Sequence, residues 1–298
     1  MLPKKVTIVE VSPRDGLEGV DDDISVDFKI ELIERCLQAG ITVIEAGGFF
    51  SNNLMPALKN TQEVLKKINH NKNVRLICLV DNMQSLNAAL NANAKEITVF
   101  TAASESYSQD IVICNIDESL KAIERMVILA KESQLKVRGA ISVALGCPYE
   151  GTVDPNRVAN IANCLCTMGC DEIVLGDSHG LGDPKKVENV IRACIAQDIP
   201  VNKISLHFHN TYGMALVNIY AGLMMGVSLV ESAVGGLGGR SNGSNSGNVA
   251  TEDLVYMLKG LNIESNVNLD TIIEVGKFAC NYLKRPINSC VSLPLTLK

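Results

Sequence analysis
Short β-rich runs alternate with longer helical patterns eight times between residues 6 and 258. Residues 6–12, 42–47, 74–80, 96–102, 137–144, 172–175, 204–208 and 228–234 read as strands from their β-branched content. Residues 25–39, 54–68, 83–91, 117–131, 155–168, 184–196, 213–225 and 252–258 carry the 3.6-residue apolar spacing of helices, with Gly, Pro and Asn between the segments. Strand–helix alternation implies a parallel sheet. Eight such units over roughly 250 residues match the size of an α/β (β/α)8 barrel, the TIM barrel. The rival, an open doubly wound sheet, usually follows its first strand with a Gly-rich nucleotide fingerprint. Here the first strand runs into SPRDG. One domain over 1–298 is expected, with an extra helix at 268–280 and a C-terminal extension, 268–298, packed on the barrel.

Composition excludes other classes. A chain of 298 residues, 47% hydrophobic with a net charge of −6, has the apolar content for a large core and is not disordered. The 27 Lys and Arg against 33 Asp and Glu leave no basic excess for nucleic acid. The longest weakly polar stretch, 216–230, is interrupted by Asn218, Tyr220 and Ser228 and is too short to span a bilayer. The start, MLPKKVTIVE, lacks the plan of a signal peptide, and the end, LTLK, matches no address tag, so a cytoplasmic location is expected. Ten scattered cysteines, mostly within apolar segments, suit a reducing compartment. Cys164, Cys166 and Cys170 lack a partner pair at zinc-finger spacing and read as structural.

In a TIM barrel the chemistry lies at the C-terminal ends of the strands. Arg14 and Asp15 follow the first strand, and Glu45 sits in the second. Asp177, Ser178 and His179 follow the sixth. His207, His209 and Asn210 belong to the seventh, and the eighth runs into a Gly-rich loop with Arg240 and Asn248. Strand side chains alternate, so His207 and His209 share a face. Two imidazoles there make half of a metal site or a pair of ordinary buried histidines, and Asp15 and Asn248 could add oxygens. Glu45 lies inside ITVIEAGGF, where a buried carboxylate needs a partner, and Arg14 is the candidate. Asp177 reads either as part of the site or as a cap before Pro184.

Taken together, VSPRDGL, ALGCPYEG (144–151), GD at 176–177, HFHNTYG (207–213) and GNVATEDLVYML (247–258) resemble the 3-hydroxy-3-methylglutaryl-CoA (HMG-CoA) lyases. That is a branch of the metal-dependent barrel lyases and Claisen synthases with an Asp-Arg-Glu (DRE-type) signature. The resemblance runs from Val6 to about Lys284. It implies a divalent metal, Mg or Mn, held by Asp15, His207, His209 and Asn248. It implies that Arg14 stabilises charge on a thioester oxygen, supported by Glu45 and Asp177, and that His207 also moves a proton. It implies an acyl-CoA substrate cleaved to acetyl-CoA and acetoacetate, a role in leucine degradation, and a homodimer.

Three stretches depart from the family pattern. The loop after strand eight reads GLGGRSNGSNSGN, with Arg240 where the family has a catalytic cysteine. Arginine scarcely deprotonates, so His179 or Ser241 would have to move that proton, while Arg240 binds a carboxylate or a CoA phosphate. EAGGFFSNN replaces the family's EATSFVSP, and GDSHG replaces GDTxG. Three alternative functions follow. One is a lyase for another 3-hydroxyacyl-CoA, branched or citramalyl-type, with Gly47 and Gly48 making room. The second is a Claisen-type acyltransferase, and the third an inactive metal- or CoA-binding homologue.

Overall fold
The structure, a computed structural model, describes residues 2–20, 23–50, 55–68, 73–239 and 247–295. Eight parallel strands close into a barrel: β1 (Thr7–Glu10), β2 (Val43–Phe49), β3 (Arg75–Val80), β4 (Glu96–Ala102), β5 (Lys136–Ser142), β6 (Glu172–Asp177), β7 (Ile204–Phe208) and β8 (Leu229–Ser232). Closure comes from β1, which pairs Val9 with Val43 of β2 and Thr7 with Leu229 of β8. Each strand leads to a helix outside it: α1 (Val26–Gln38), α2 (Thr61–Lys67), α3 (Met83–Asn91), α4 (Ile116–Glu132), α5 (Pro155–Met168), α6 (Pro184–Ala196), α7 (Ala215–Met224) and α8 (Thr251–Gly260). The helices bury apolar stripes; α4 turns Ile116, Ile123, Met126, Val127 and Ala130 inward. Their starts are fixed by local chemistry. Asn115 and Glu118 form a capping box, and Asp154 and Asp183 cap helices that begin with proline.

Some segments differ from the sequence expectation. The first strand ends at Glu10, because the chain then turns and presents Arg14 and Asp15 on the short helical turn Asp15–Leu17. The helix expected over 54–68 is helical only at Thr61–Lys67, preceded by a single turn at Pro56–Leu58. Pro56 opens that turn, where its missing N–H is tolerated, and the break before the helix falls at Lys59–Asn60. The helix expected from 213 begins at Ala215, since Gly213 has φ +73°. A one-turn helix, Glu105–Tyr107, and a π-turn, Ser108–Val112, follow β4 where none was expected.

The lumen carries charge. Arg75 pairs with Glu96 and, at 2.7 Å, with Glu172; Arg138 binds Glu172 at 2.8 Å and Glu231 at 2.6 Å. The Arg75–Glu172 and Arg138–Glu231 contacts join β3 to β6 and β5 to β8, which are not neighbours, so these side chains meet across the barrel. A further helix, α9 (Leu269–Tyr282), buries Ile272, Ile273, Val275, Ala279 and Cys280, and Phe28 of α1 stacks on its Tyr282 at 3.8 Å. Beyond it, Asp253 accepts hydrogen bonds from Ser289 Oγ and from the amides of Cys290 and Val291. All ten cysteines are free, and no described helix is long and apolar enough to cross a membrane.

Candidate active site
The turn after β1 is held by Glu10. Its carboxylate accepts from the amides of Ser12 and Val234, both at 3.0 Å, and from Thr251 Oγ1 at 2.7 Å. This aims Arg14 and Asp15 over the barrel mouth. Arg14 Nη1 donates to Asp15 Oδ1 at 2.6 Å, and its Nε lies 3.7 Å from Glu45 Oε2. A bulge between Glu45 and Gly47 shifts the register of β2 by one residue, leaving Ala46 without a partner on β3.

At the end of β7 the ring nitrogens of His207 and His209, both Nε2, face each other at 3.2 Å. His209 Nε2 is 3.8 Å from Asp15 Oδ2. Asp15, His207 and His209 each bring one ligand atom within 4.8 Å of the others. His209 and Asn248 form a backbone bridge between β7 and the chain entering α8. Asn248 Nδ2 donates to Asp15 Oδ2 at 2.5 Å and to the Leu237 carbonyl at 3.1 Å. Its Oδ1 is buried and has no hydrogen-bond partner.

These residues fit a divalent ion. Two imidazole nitrogens and a carboxylate oxygen lie within 4.8 Å of one another, and Asn248, whose Oδ1 has no donor, touches the same carboxylate through its Nδ2. That mixed N/O set suits Mg or Mn as well as softer ions. Burial alone would raise the Asp15 carboxyl, but the charges of His207 and Arg14 and the Asn248 hydrogen bond hold it well below the usual range. Burial alone would lower His207, but Glu231 and the Asp15 charge outweigh it and bring it to about 9. Glu45 goes the other way: burial, with repulsion from Glu231, pushes its carboxyl up to about 7 against the pull of Arg14.

Sequence reasoning passed over two residues at this site. Glu231 Oε2 lies 2.9 Å from His207 Nδ1, and its other oxygen takes Arg138 Nη2. The signal was present: Glu231 sits in SLVESAV and Arg138 in LKVRGAISV, charges inside apolar runs like Glu45. Asp177 ends β6 beside β7, where its carbonyl accepts from the His209 amide at 3.2 Å. Asp177 accepts from the amides of Leu181 and Gly182, both at 2.9 Å, and so ties down the loop after β6. The cap of α6 is Asp183, not Asp177. His179 packs edge-on against Tyr107 at 5.6 Å, beside Tyr149. Cys147 Sγ, 2.9 Å from Ser104 Oγ, and Tyr149, bonded to Asp110, pin the 144–151 loop to the segment after β4. Arg240 and Ser241 fall outside the described residues.

The expectation that Gly47 and Gly48 make room is corrected. The side chain of Thr61 stands where a Cβ at 47 would be, and the Phe50 ring lies 2.5 Å from one built at 48. The space is already filled by this chain's own residues.

Comparison with known proteins agrees with this geometry. The chain is 43% identical over 291 residues to the mitochondrial hydroxymethylglutaryl-CoA lyase of Bos taurus, spanning 97% of this chain and 89% of that one. It is also 43% identical to the longer Arabidopsis thaliana enzyme, of which it spans 63%. The crystal structure of hydroxymethylglutaryl-CoA lyase from Pseudomonas aeruginosa superposes with a TM-score of 0.96 at 40% identity, covering 99% of each chain. The HMGL-like family model matches residues 5–279. With the barrel, the strand-end residues and these likenesses in agreement, the chain belongs to the HMGL-like family, among the hydroxymethylglutaryl-CoA lyases.

Proposed function
We propose that this protein cleaves HMG-CoA to acetyl-CoA and acetoacetate with a divalent ion, Mg or Mn, held by Asp15, His207, His209 and Asn248. The observation that carries the reading is the convergence of Asp15, His207 and His209 on one point beside the Arg14–Glu45 pair. When bound, the ion supplies Lewis-acid assistance to loss of the tertiary hydroxyl proton. The chain's own residues do the rest. Arg14, partly buried and flanked by carboxylates, is a fixed cation aimed at the thioester oxygen, where negative charge builds up as the C–C bond breaks. Glu45, with its carboxyl near 7, can exchange a proton at working pH. Asp177, at the end of β6, supports the site. His179 or Ser241 delivers the proton to the enolate carbon in place of the family's loop cysteine, and Arg240 pairs with a carboxylate or CoA phosphate.

The test is acetyl-CoA release from metal-stripped protein given HMG-CoA, with and without Mg or Mn. Turnover that appears only with the ion supports the reading; no turnover with Mn shown bound refutes the substrate. One observation favours a second reading, a lyase for another 3-hydroxyacyl-CoA: Arg240 stands where the family has cysteine. Arg240→Cys should raise HMG-CoA turnover if the loop still serves this reaction. An unchanged rate argues for a different acyl group, which a thioester panel would identify. A reducing, cytoplasmic setting fits ten unpaired cysteines.

A further inference from the structure
We propose that Glu231, braced by Arg138, is a positioning residue that sets the tautomer and aim of His207 as a metal ligand; the inference rests on the metal site proposed above. A carboxylate only accepts hydrogen bonds, so its 2.9 Å contact with His207 Nδ1 requires the proton on Nδ1. In the neutral ring, the form that ligates an ion, the lone pair is then on Nε2, the atom that faces His209 Nε2 at 3.2 Å within the Asp15 cluster. With the other tautomer, Nδ1 and the carboxylate would face each other as two acceptors and Nε2 would present a proton to the ion.

The carboxylate is itself held in one orientation. Its second oxygen receives Arg138 Nη2 at 2.6 Å and Ser205 Oγ at 3.3 Å. Arg138 is 1% exposed, and its Nε is fixed by Glu172, which is fixed in turn by Arg75. Opposite charges therefore alternate across the lumen from Glu96 and Arg75 through Glu172, Arg138 and Glu231 to His207. TIM-barrel lumens are commonly filled by branched apolar side chains, which pack without a desolvation penalty. A row of buried ion pairs gains little net stability over such a filling, but it fixes geometry. Its upper end is a metal ligand, where outer partners orient the imidazole and raise its basicity.

The experiment uses the full-length, metal-stripped protein, with Mn²⁺ affinity read from the EPR signal of the free ion. The His207 ring is followed by ¹⁵N NMR in the Mg-loaded protein. Glu231→Gln keeps the size but lets Nδ1 be donor or acceptor. It should weaken Mn²⁺ binding by about 10- to 100-fold, the usual effect of losing such a partner. The His207 signal should change from a single Nδ1–H form to a mixture. Glu231→Asp, which keeps the charge, should fall between the two and retain the Nδ1–H form. Should Glu231→Gln fail to fold, Glu231→Leu combined with Arg138→Met removes both charges together and should show the same loss of affinity.

A folded Glu231 variant with wild-type Mn²⁺ affinity and an unchanged His207 spectrum overturns the proposal. Wild type that binds no Mn²⁺ overturns both the metal site and the positioning role. If wild type binds Mn²⁺ but releases no acetyl-CoA, only the substrate reading falls, and the affinity comparison still decides the role of Glu231.

Discussion
Glu252→Gln is expected to change how stability depends on pH. Glu252 is fully buried in the first turn of α8, and both its oxygens accept from the Gly235 amide, at 2.8 and 3.0 Å. It therefore anchors the root of the segment that runs from β8 toward Asn248. Burial, with repulsion from Glu10 and Asp253, pushes its carboxyl from 4.5 up to about 8. Its folded pKa is raised, so the stability it contributes is present in full below 4.5 and is lost as pH rises through 8. At about 1.4 kcal/mol per pH unit, the whole displacement amounts to roughly 5 kcal/mol. Glutamine resembles the protonated acid but cannot ionise, so it removes this slope. Its own cost is a buried NH2 lacking an acceptor, about 1–3 kcal/mol at any pH. Urea unfolding of both proteins at pH 5, 6, 7 and 8 reads the difference between them, from which all other titrations cancel. The difference should move in favour of the variant by about 1.4 kcal/mol per unit. Parallel curves from pH 5 to 8 would mean that Glu252 is ionised while buried, and the reasoning would be wrong.

Three other outcomes are expected. Asn248→Asp sets a second carboxylate against Asp15, a repulsion of about 4 kcal/mol at 4 Å in a medium of effective dielectric 20. The metal-free Tm should fall, and added Mn²⁺ should raise it by more than in wild type; equal shifts would remove Asn248 from the ion site. Mn²⁺ must displace the proton that His207 carries below about 9, so affinity should rise with pH at close to tenfold per unit from pH 7 to 8. Calorimetry in buffers of different ionisation enthalpy counts that proton, and release of none contradicts the assignment. Gly48→Ser should lose about 1–3 kcal/mol by collision with the Phe50 ring. Adding Phe50→Val should recover most of it in thermal unfolding, and simple additivity would show that the two positions do not share space.

What could be read from the chain alone was what local rules carry. Eight alternations of period, proline and Asp or Asn at helix starts, and glycine at helix ends each act within a few residues, and they led to the barrel. Where local chemistry was subtler, boundaries moved: one helix was interrupted at Lys59–Asn60, and Gly213 delayed another. The pairing of Glu45 with Arg14 was legible because a carboxylate in an apolar run must be paired, and Arg14 was the candidate partner. The same signal lay on Glu231 and Arg138, but no local partner could be named. Arg138 meets Glu231 across 93 residues, and Asn248 meets Asp15 across 233. Such pairings exist only once the barrel has closed and the stagger of its strands has set which side chains share a level. Alternation along a strand told that His207 and His209 share a face; closure decided that Glu231 stands behind one of them. The filling of the space at Gly47 and Gly48 was likewise decided by tertiary packing, because Thr61 and Phe50 enter it through a turn and a bulge whose geometry depends on the neighbouring strand.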